Sequence, residues 1–156
     1  MKKTFIFIFL YIFVLANAQD RTIFYWENGN KKSEGVFVAE KENGLWTYYH
    51  TNGQKAMQGE FIHGQKIGKW QAWYISGKLQ SEYYPQTGVF KSWYESGEKE
   101  CIGYFSDYKK DSSWVFFHIN GQESKTCTYK NDLIEGICKE YHPNGQLSFV
   151  GNYVHG

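Results

Sequence analysis

The sequence predicts an all-β chain: an elongated, twisted, single-layer antiparallel meander of about five and a half β-hairpin repeats. Three observations carry that reading. An x-Asn-Gly or x-Ser-Gly core recurs with its glycine at Gly29, Gly53, Gly77, Gly97, Gly121 and Gly145, spaced 24, 24, 20, 24 and 24 residues apart. Asn-Gly between aromatic-rich runs is the strongest short-range signal for a hairpin. A turn signal roughly every ten to twelve residues also leaves no length for an amphipathic helix.

Along the chain, Lys2 and Lys3 are followed by an unbroken apolar run from Phe5 to Leu15 and then by Ala16-Asn17-Ala18. A basic start, a short apolar stretch and a small-x-small site describe a secretory signal peptide. As a helix the run rises only about 16 Å, short of the roughly 30 Å hydrocarbon core, so it is not read as a membrane anchor. Residues 1–18 are expected to be removed after Ala18, leaving an exported chain in the periplasm, the medium or the cell envelope. No cysteine follows the apolar run, so no lipid anchor is expected, nor any transmembrane segment in the mature chain. Residues 19–23 form a short lead, and residues 24–156 form the array.

In the first repeat, Asn28-Gly29 is read as a two-residue type I′ turn. It leads into a strand from Lys31 to Val38, a looser polar loop from Ala39 to Gly44, and a second strand from Leu45 to His50. The other repeats follow this pattern. The third is four residues shorter, and its loss falls in the second loop, now Pro85 to Gly88. Indels of single repeats belong in loops, so the deletion supports the placement of the strands. The sixth repeat stops after its first strand. Eleven or so strands result.

Two columns move together. Gly35, Gly59 and Gly103 lie approximately opposite Trp46, Trp70 and Trp114. A glycine in a strand leaves a gap, and an aromatic ring laid across it restores cover. Where the third repeat loses the glycine it also loses the tryptophan, giving Tyr83 and Phe90; the fifth places Cys127 and Cys138 there. In an exported protein those two are a possible cross-strand disulfide, the alternative being buried thiols. Cys101 occupies another column and is left free.

Composition agrees with a thin aromatic core. After residue 18 there are 26 aromatic side chains against 18 Val, Ile and Leu, and 15 basic residues against 16 acidic ones. Few large aliphatics with a strong net charge would mean disorder, but the charge is balanced. The same balance argues against a protein held to nucleic acid by phosphate neutralisation.

One column varies between repeats and is the candidate binding face: Trp26, His50, Tyr74, Tyr94, His118 and His142, beside the turns. Metal binding by its histidines is not expected, because equal columns of successive repeats lie about 10 Å apart. No G-x-S-x-G elbow, phosphate-cradling loop or local cysteine-nucleophile signature occurs. No catalytic residue, cofactor or metal is therefore assigned, and the chain is not read as an enzyme.

The first two repeats read YWENGNKKSEGVFVAEKENGLWTYY and YHTNGQKAMQGEFIHGQKIGKWQAWY. They resemble the MORN-repeat variant family, and the resemblance runs from Tyr25 to Gly156. It implies an elongated, twisted antiparallel sheet of hairpins. Exported bacterial members also bring the label of antitoxin component of a toxin–antitoxin system. The expected function is a non-enzymatic protein-interaction or structural scaffold of the cell envelope. The alternatives are a module binding cell-wall glycan or lipid head groups, or an antitoxin-like partner of a co-encoded toxin. Exposure of Trp46, Trp70 and Trp114 discriminates the glycan reading, since rings buried against glycine cannot stack on sugars.

Overall fold

Two kinds of tight turn alternate along the chain and set its geometry. The computed structural model describes residues 20–154; the signal segment expected at residues 1–18 lies outside them. At each Asn-Gly or Ser-Gly the chain makes a three-residue connection. Gly29 N–H donates to the Trp26 carbonyl (2.9 Å) and Trp26 N–H donates to that of Asn30 (2.8 Å). Of the central residues only Gly29 has positive φ, 82°. This is a type I turn followed by a left-handed residue that forms a bulge, not the two-residue type I′ turn expected. The asparagine has its own task here: Asn28 Oδ1 accepts from Asn30 N–H at 3.1 Å. That local bond is a side-chain mimic of a turn and holds the loop without positive φ at Asn28.

The type I′ turns lie at the other end of the strands. Ala39-Glu40 (φ 47° and 61°), His63-Gly64 (51° and 80°), Asp107-Tyr108 (49° and 62°) and Asn131-Asp132 (53° and 70°) each place both central residues in the left-handed region. The loop expected from Ala39 to Gly44 is therefore a two-residue turn, and the second strand already starts at Lys41. The sheet's right-handed twist selects this turn even where no glycine is present.

Among the described residues there are twelve strands: β1 (Thr22–Tyr25), β2 (Lys31–Val38), β3 (Lys41–Tyr49), β4 (Lys55–Ile62), β5 (Gln65–Trp73), β6 (Leu79–Tyr84), β7 (Val89–Trp93), β8 (Lys99–Ser106), β9 (Lys109–Phe117), β10 (Glu123–Lys130), β11 (Leu133–Tyr141) and β12 (Leu147–Tyr153). They form one sheet, every pair antiparallel, with strand order equal to chain order. β1 begins inside the segment read as a lead.

Between β2 and β3 the register passes from Glu34↔Thr47 to Val36↔Asn43, so β3 carries two extra residues, Gly44 and Leu45. Gly44 takes φ 67°, and its equivalents Gly68, Ser112 and Gly136 take 63°, 59° and 83°. These bulges kink the longer strand and bring the tryptophan column over the neighbouring glycine. The shortened third repeat has no bulge, and β6 pairs with β7 without a register shift.

The core lies on one face. A β-carbon added at Gly35, Gly59 or Gly103 would come within 2.2, 2.2 and 2.1 Å of the rings of Trp46, Trp70 and Trp114. Those indoles are 2%, 3% and 1% exposed although only one layer of sheet exists. Phe37, Phe61 and Phe105 meet them edge-on with centroids 4.8–5.0 Å away, an arrangement that aromatic quadrupoles favour. Lys66 and Lys110 roof two of them, each ammonium 4.3 and 4.8 Å from the centroid of Trp70 and Trp114. Trp46 and Trp114 also donate Nε1–H to the carbonyls of Val36 and Tyr104, whereas Trp70 Nε1 is buried without a partner among the described residues. In the fifth repeat Cys127 and Cys138 stand directly opposite one another, buried and bonded to each other; Cys101 is a buried free thiol. The other face is largely polar, with Gln58 donating to Thr47 Oγ1 and Gln71 to Glu82 Oε1.

Candidate functional site

The candidate binding column is built into the joints between repeats. Each residue sits just before a turn, with its backbone closing that turn. Its polar tip reaches forward to the backbone carbonyl that precedes the next member of the column. Trp26 Nε1 donates to Tyr49 O (3.1 Å), His50 Nε2 lies 2.8 Å from Trp73 O, Tyr74 Oη donates to Trp93 O (2.9 Å), Tyr94 Oη to Phe117 O (2.7 Å), and His118 Nε2 lies 2.8 Å from Tyr141 O. Indole, imidazole and phenol interchange here because each carries a hydrogen-bonding atom at the far end of a flat ring. The turn asparagines add a parallel set of staples: Asn28, Asn52 and Asn120 donate Nδ2–H to the carbonyls of Thr51, Ile75 and Pro143. His142, the last of the column, is exposed. The polar ends of the first five residues are thus engaged within the chain, which leaves their ring flanks for any partner.

A second feature could not be read without the cross-strand register. On the aromatic face, the row beside the tryptophans runs Tyr48↔Met57↔Ala72↔Ser81↔Ser92↔Cys101↔Phe116. Tyr48 fills the space between Trp46 and Trp70, with centroids 6.1 and 6.4 Å away. Phe116 packs against Trp114 at 5.9 Å. Between Met57 and Phe116 come four small side chains in succession: Ala72, Ser81, Ser92 and Cys101. Cavities open there. One of about 360 Å³ is floored by Ser81, Ser92 and Cys101 and walled by Phe90, Trp114 and Phe116. It shares Phe90 and Phe105 with a neighbour of about 260 Å³ that Lys66 and Tyr108 border. It shares Glu100, Lys110 and Phe116 with another of about 450 Å³, which Tyr94 lines. Together they make a groove across the middle of the sheet.

The groove's floor is polar and its walls are aromatic. Ser92 Oγ–H donates to Glu100 Oε2 (2.9 Å) and lies 3.1 Å from Cys101 Sγ. Burial pushes the Cys101 thiol above its ordinary pKa, so it is not an activated nucleophile. Burial pushes the Lys66 ammonium below its ordinary value. Tyr108, at the groove's outer end, is 82% exposed. Among the described residues no group of three or more His, Cys, Asp or Glu could hold a metal ion, and no helix is long and apolar enough to cross a membrane.

The profile of the MORN repeat variant matches residues 42–63, 86–107 and 134–155. Those three segments are MORN repeats of the variant type. Each matched MORN segment spans one hairpin about an inner turn: β3–β4, β7–β8 and β11–β12. Counted in that phase, the twelve strands are six hairpins, and the apparent half repeat at the end is one strand of the last. MORN repeats generally serve as modules that contact proteins or membranes. No curated protein matches the chain.

Proposed function

We propose that this chain is an exported, non-enzymatic MORN-repeat scaffold of the cell envelope that holds a protein partner in the groove over its third and fourth repeats. The observation that carries the reading is the run Ala72, Ser81, Ser92 and Cys101, where the ladder of large side chains is interrupted. Aromatic walls with a few hydrogen-bonding groups at the floor match the buried pockets that receive anchor side chains at protein interfaces. Trp46, Trp70 and Trp114 are buried against glycine, so a sugar-stacking tryptophan ladder is not carried forward.

The test places a photo-crosslinking residue at Ser81 in the groove, and another at Gln71 on the opposite face, in the full chain expressed at native level. A defined protein adduct from Ser81 but not from Gln71, lost when Ser92→Tyr fills the cavity, supports the reading. Equal adducts from both faces, or none, overturn it. Fractionation of the same cells tests export: a processed chain starting at Gln19 outside the cytoplasm is expected, and an unprocessed cytoplasmic chain would remove that part.

A further inference from the structure

The two edges of the sheet complement one another. Across the polar face one continuous row starts Ile23↔Glu34↔Thr47 and ends Thr126↔Lys139↔Val150. Its interior is largely polar, yet both terminal members are aliphatic. On the aromatic face the neighbouring row ends in Phe24 at one edge and Phe149 at the other. The tryptophan-column row ends in Thr22 and Gly151. Phe24, Phe149 and Val150 are 45%, 43% and 55% exposed. β12, LSFVGNY, carries no charge and no proline. Natural proteins usually protect an edge strand with such residues, so a bare one invites pairing.

From these observations we infer that the protein associates head to tail, β12 of one copy pairing with β1 of the next as a sixth joint between hairpins. The 24-residue period fixes the register. Thr22 stands one period before Trp46, so by the pattern of the internal joints it meets Gly151, Ile23 meets Val150, and Phe24 meets Phe149. Apolar residues then cover one another in two rows at once. The third row fits a small partner as well. At the internal joints an incoming tryptophan covers the glycine, but Gly151 is already overlain by the Phe149 ring, 2.7 Å from where a β-carbon would sit. The incoming Thr22 has no ring to place there and needs none.

The turn ladder continues in the same register. His50 and His118 each reach the carbonyl 23 residues ahead, and for His142 the equivalent group is the carbonyl of Tyr25 in the next copy. For Asn144 it is the carbonyl of Glu27 in that copy. Strand pairing, apolar cover and both staples are satisfied by a single placement. Such an interface is heterologous, so it propagates into filaments unless the rotation closes a ring.

Disulfide trapping tests it in the full chain on a Cys101→Ser background. Ile23 and Val150 are eleven strand spacings apart in one chain, about 50 Å, so a bond between them can form only across two copies. Ile23→Cys with Val150→Cys is expected to give a ladder of dimers, trimers and higher species on non-reducing gels. Mixing the two single variants should give dimers alone. Sedimentation of the unmodified protein should show association that Val150→Lys weakens at least about tenfold. A species that stays monomeric at every concentration, with no cross-linking in the double variant, overturns the inference. So does a dimer trapped by Val150→Cys on its own, which would mean that two β12 edges pair with each other.

Discussion

The indole of Trp114 rests on the backbone of Gly103 so closely that a β-carbon there would lie 2.1 Å from the ring. The two residues act as one packing unit. Gly103→Ala is expected to destabilise by about 2–3 kcal/mol through overpacking, and Trp114→Ala by about 3–5 kcal/mol through lost burial. Once the ring is gone the atoms nearest the added methyl are gone with it. The double variant should therefore fall short of the summed losses by at least about 1 kcal/mol in urea denaturation. Strict additivity would remove this contact as the cause.

Ser112 holds φ 59° at a bulge where three other repeats place glycine. An L-residue pays about 1 kcal/mol in that region. Ser112→Gly should raise stability by roughly that amount, less a few tenths for the exposed bond from Ser112 Oγ to Asp111. A lower melting temperature for the variant would mean that the hydroxyl matters more than the backbone.

The buried carboxylate of Glu34 gives the fold a sensitivity at both ends of the pH scale. The Tyr49 hydroxyl donates to it, and Lys31 and Arg21 pair with it at 3.1 and 3.6 Å. The tyrosine hydrogen bond, more than the ion pairs, holds the acid below its ordinary value of 4.5 against an opposing effect of burial. A folded pKa below the unfolded one stabilises fully above the unfolded value and fades as pH falls through the folded one. Burial first, and the same hydrogen bond second, push Tyr49 from 10.0 up to about 12. Its raised value stabilises below pH 10 and is lost as pH rises toward 12. Tyr49→Phe should therefore flatten both the acid limb below about pH 4.5 and the alkaline limb of a stability–pH curve. A change at only one limb would break the pairing argued here.

Tyr94→Phe keeps the ring that lines the groove and removes only the hydroxyl bonded to Phe117 O. A loss of about 1 kcal/mol is expected, since the carbonyl is left without its donor. Hydrogen exchange should quicken at the joint between the Tyr94 and His118 turns and stay unchanged at the Trp26 turn. Uniform quickening along the chain would mean that the ladder is not a set of local staples.

Period, columns and the place of the deletion were legible in the sequence because each is recorded as residue identity at fixed spacing. The turn types were not. Asn28-Gly29 suits a type I′ turn and a type I turn with a bulge equally well, and the strand register decides between them. Ala39-Glu40 and Asp107-Tyr108 bear no mark of positive φ; the twist of the strands they join imposes it. The column from Trp26 to His142 was visible as a set of varying rings, but nothing in its composition told that the ring tips bind the next turn. The groove was hidden for a further reason. Ala72, Ser81, Ser92 and Cys101 are scattered over thirty positions and become neighbours only when the register shifts at Trp73 and Trp93 are counted; the bulges at Gly68 and Ser112 then set them between Met57 and Phe116.

Strand order equal to chain order has a mechanical consequence. The two ends of the array lie at opposite edges, so tension between them peels strands away in sequence rather than shearing several at once. Each 24-residue repeat adds about 10 Å to the folded length, from two strand spacings, and about 80 Å once drawn out. Anchored at its ends, such a chain is an extensible tether. It yields one hairpin at a time under low force and reels itself in when the load is released, because every contact it needs lies with its immediate neighbours.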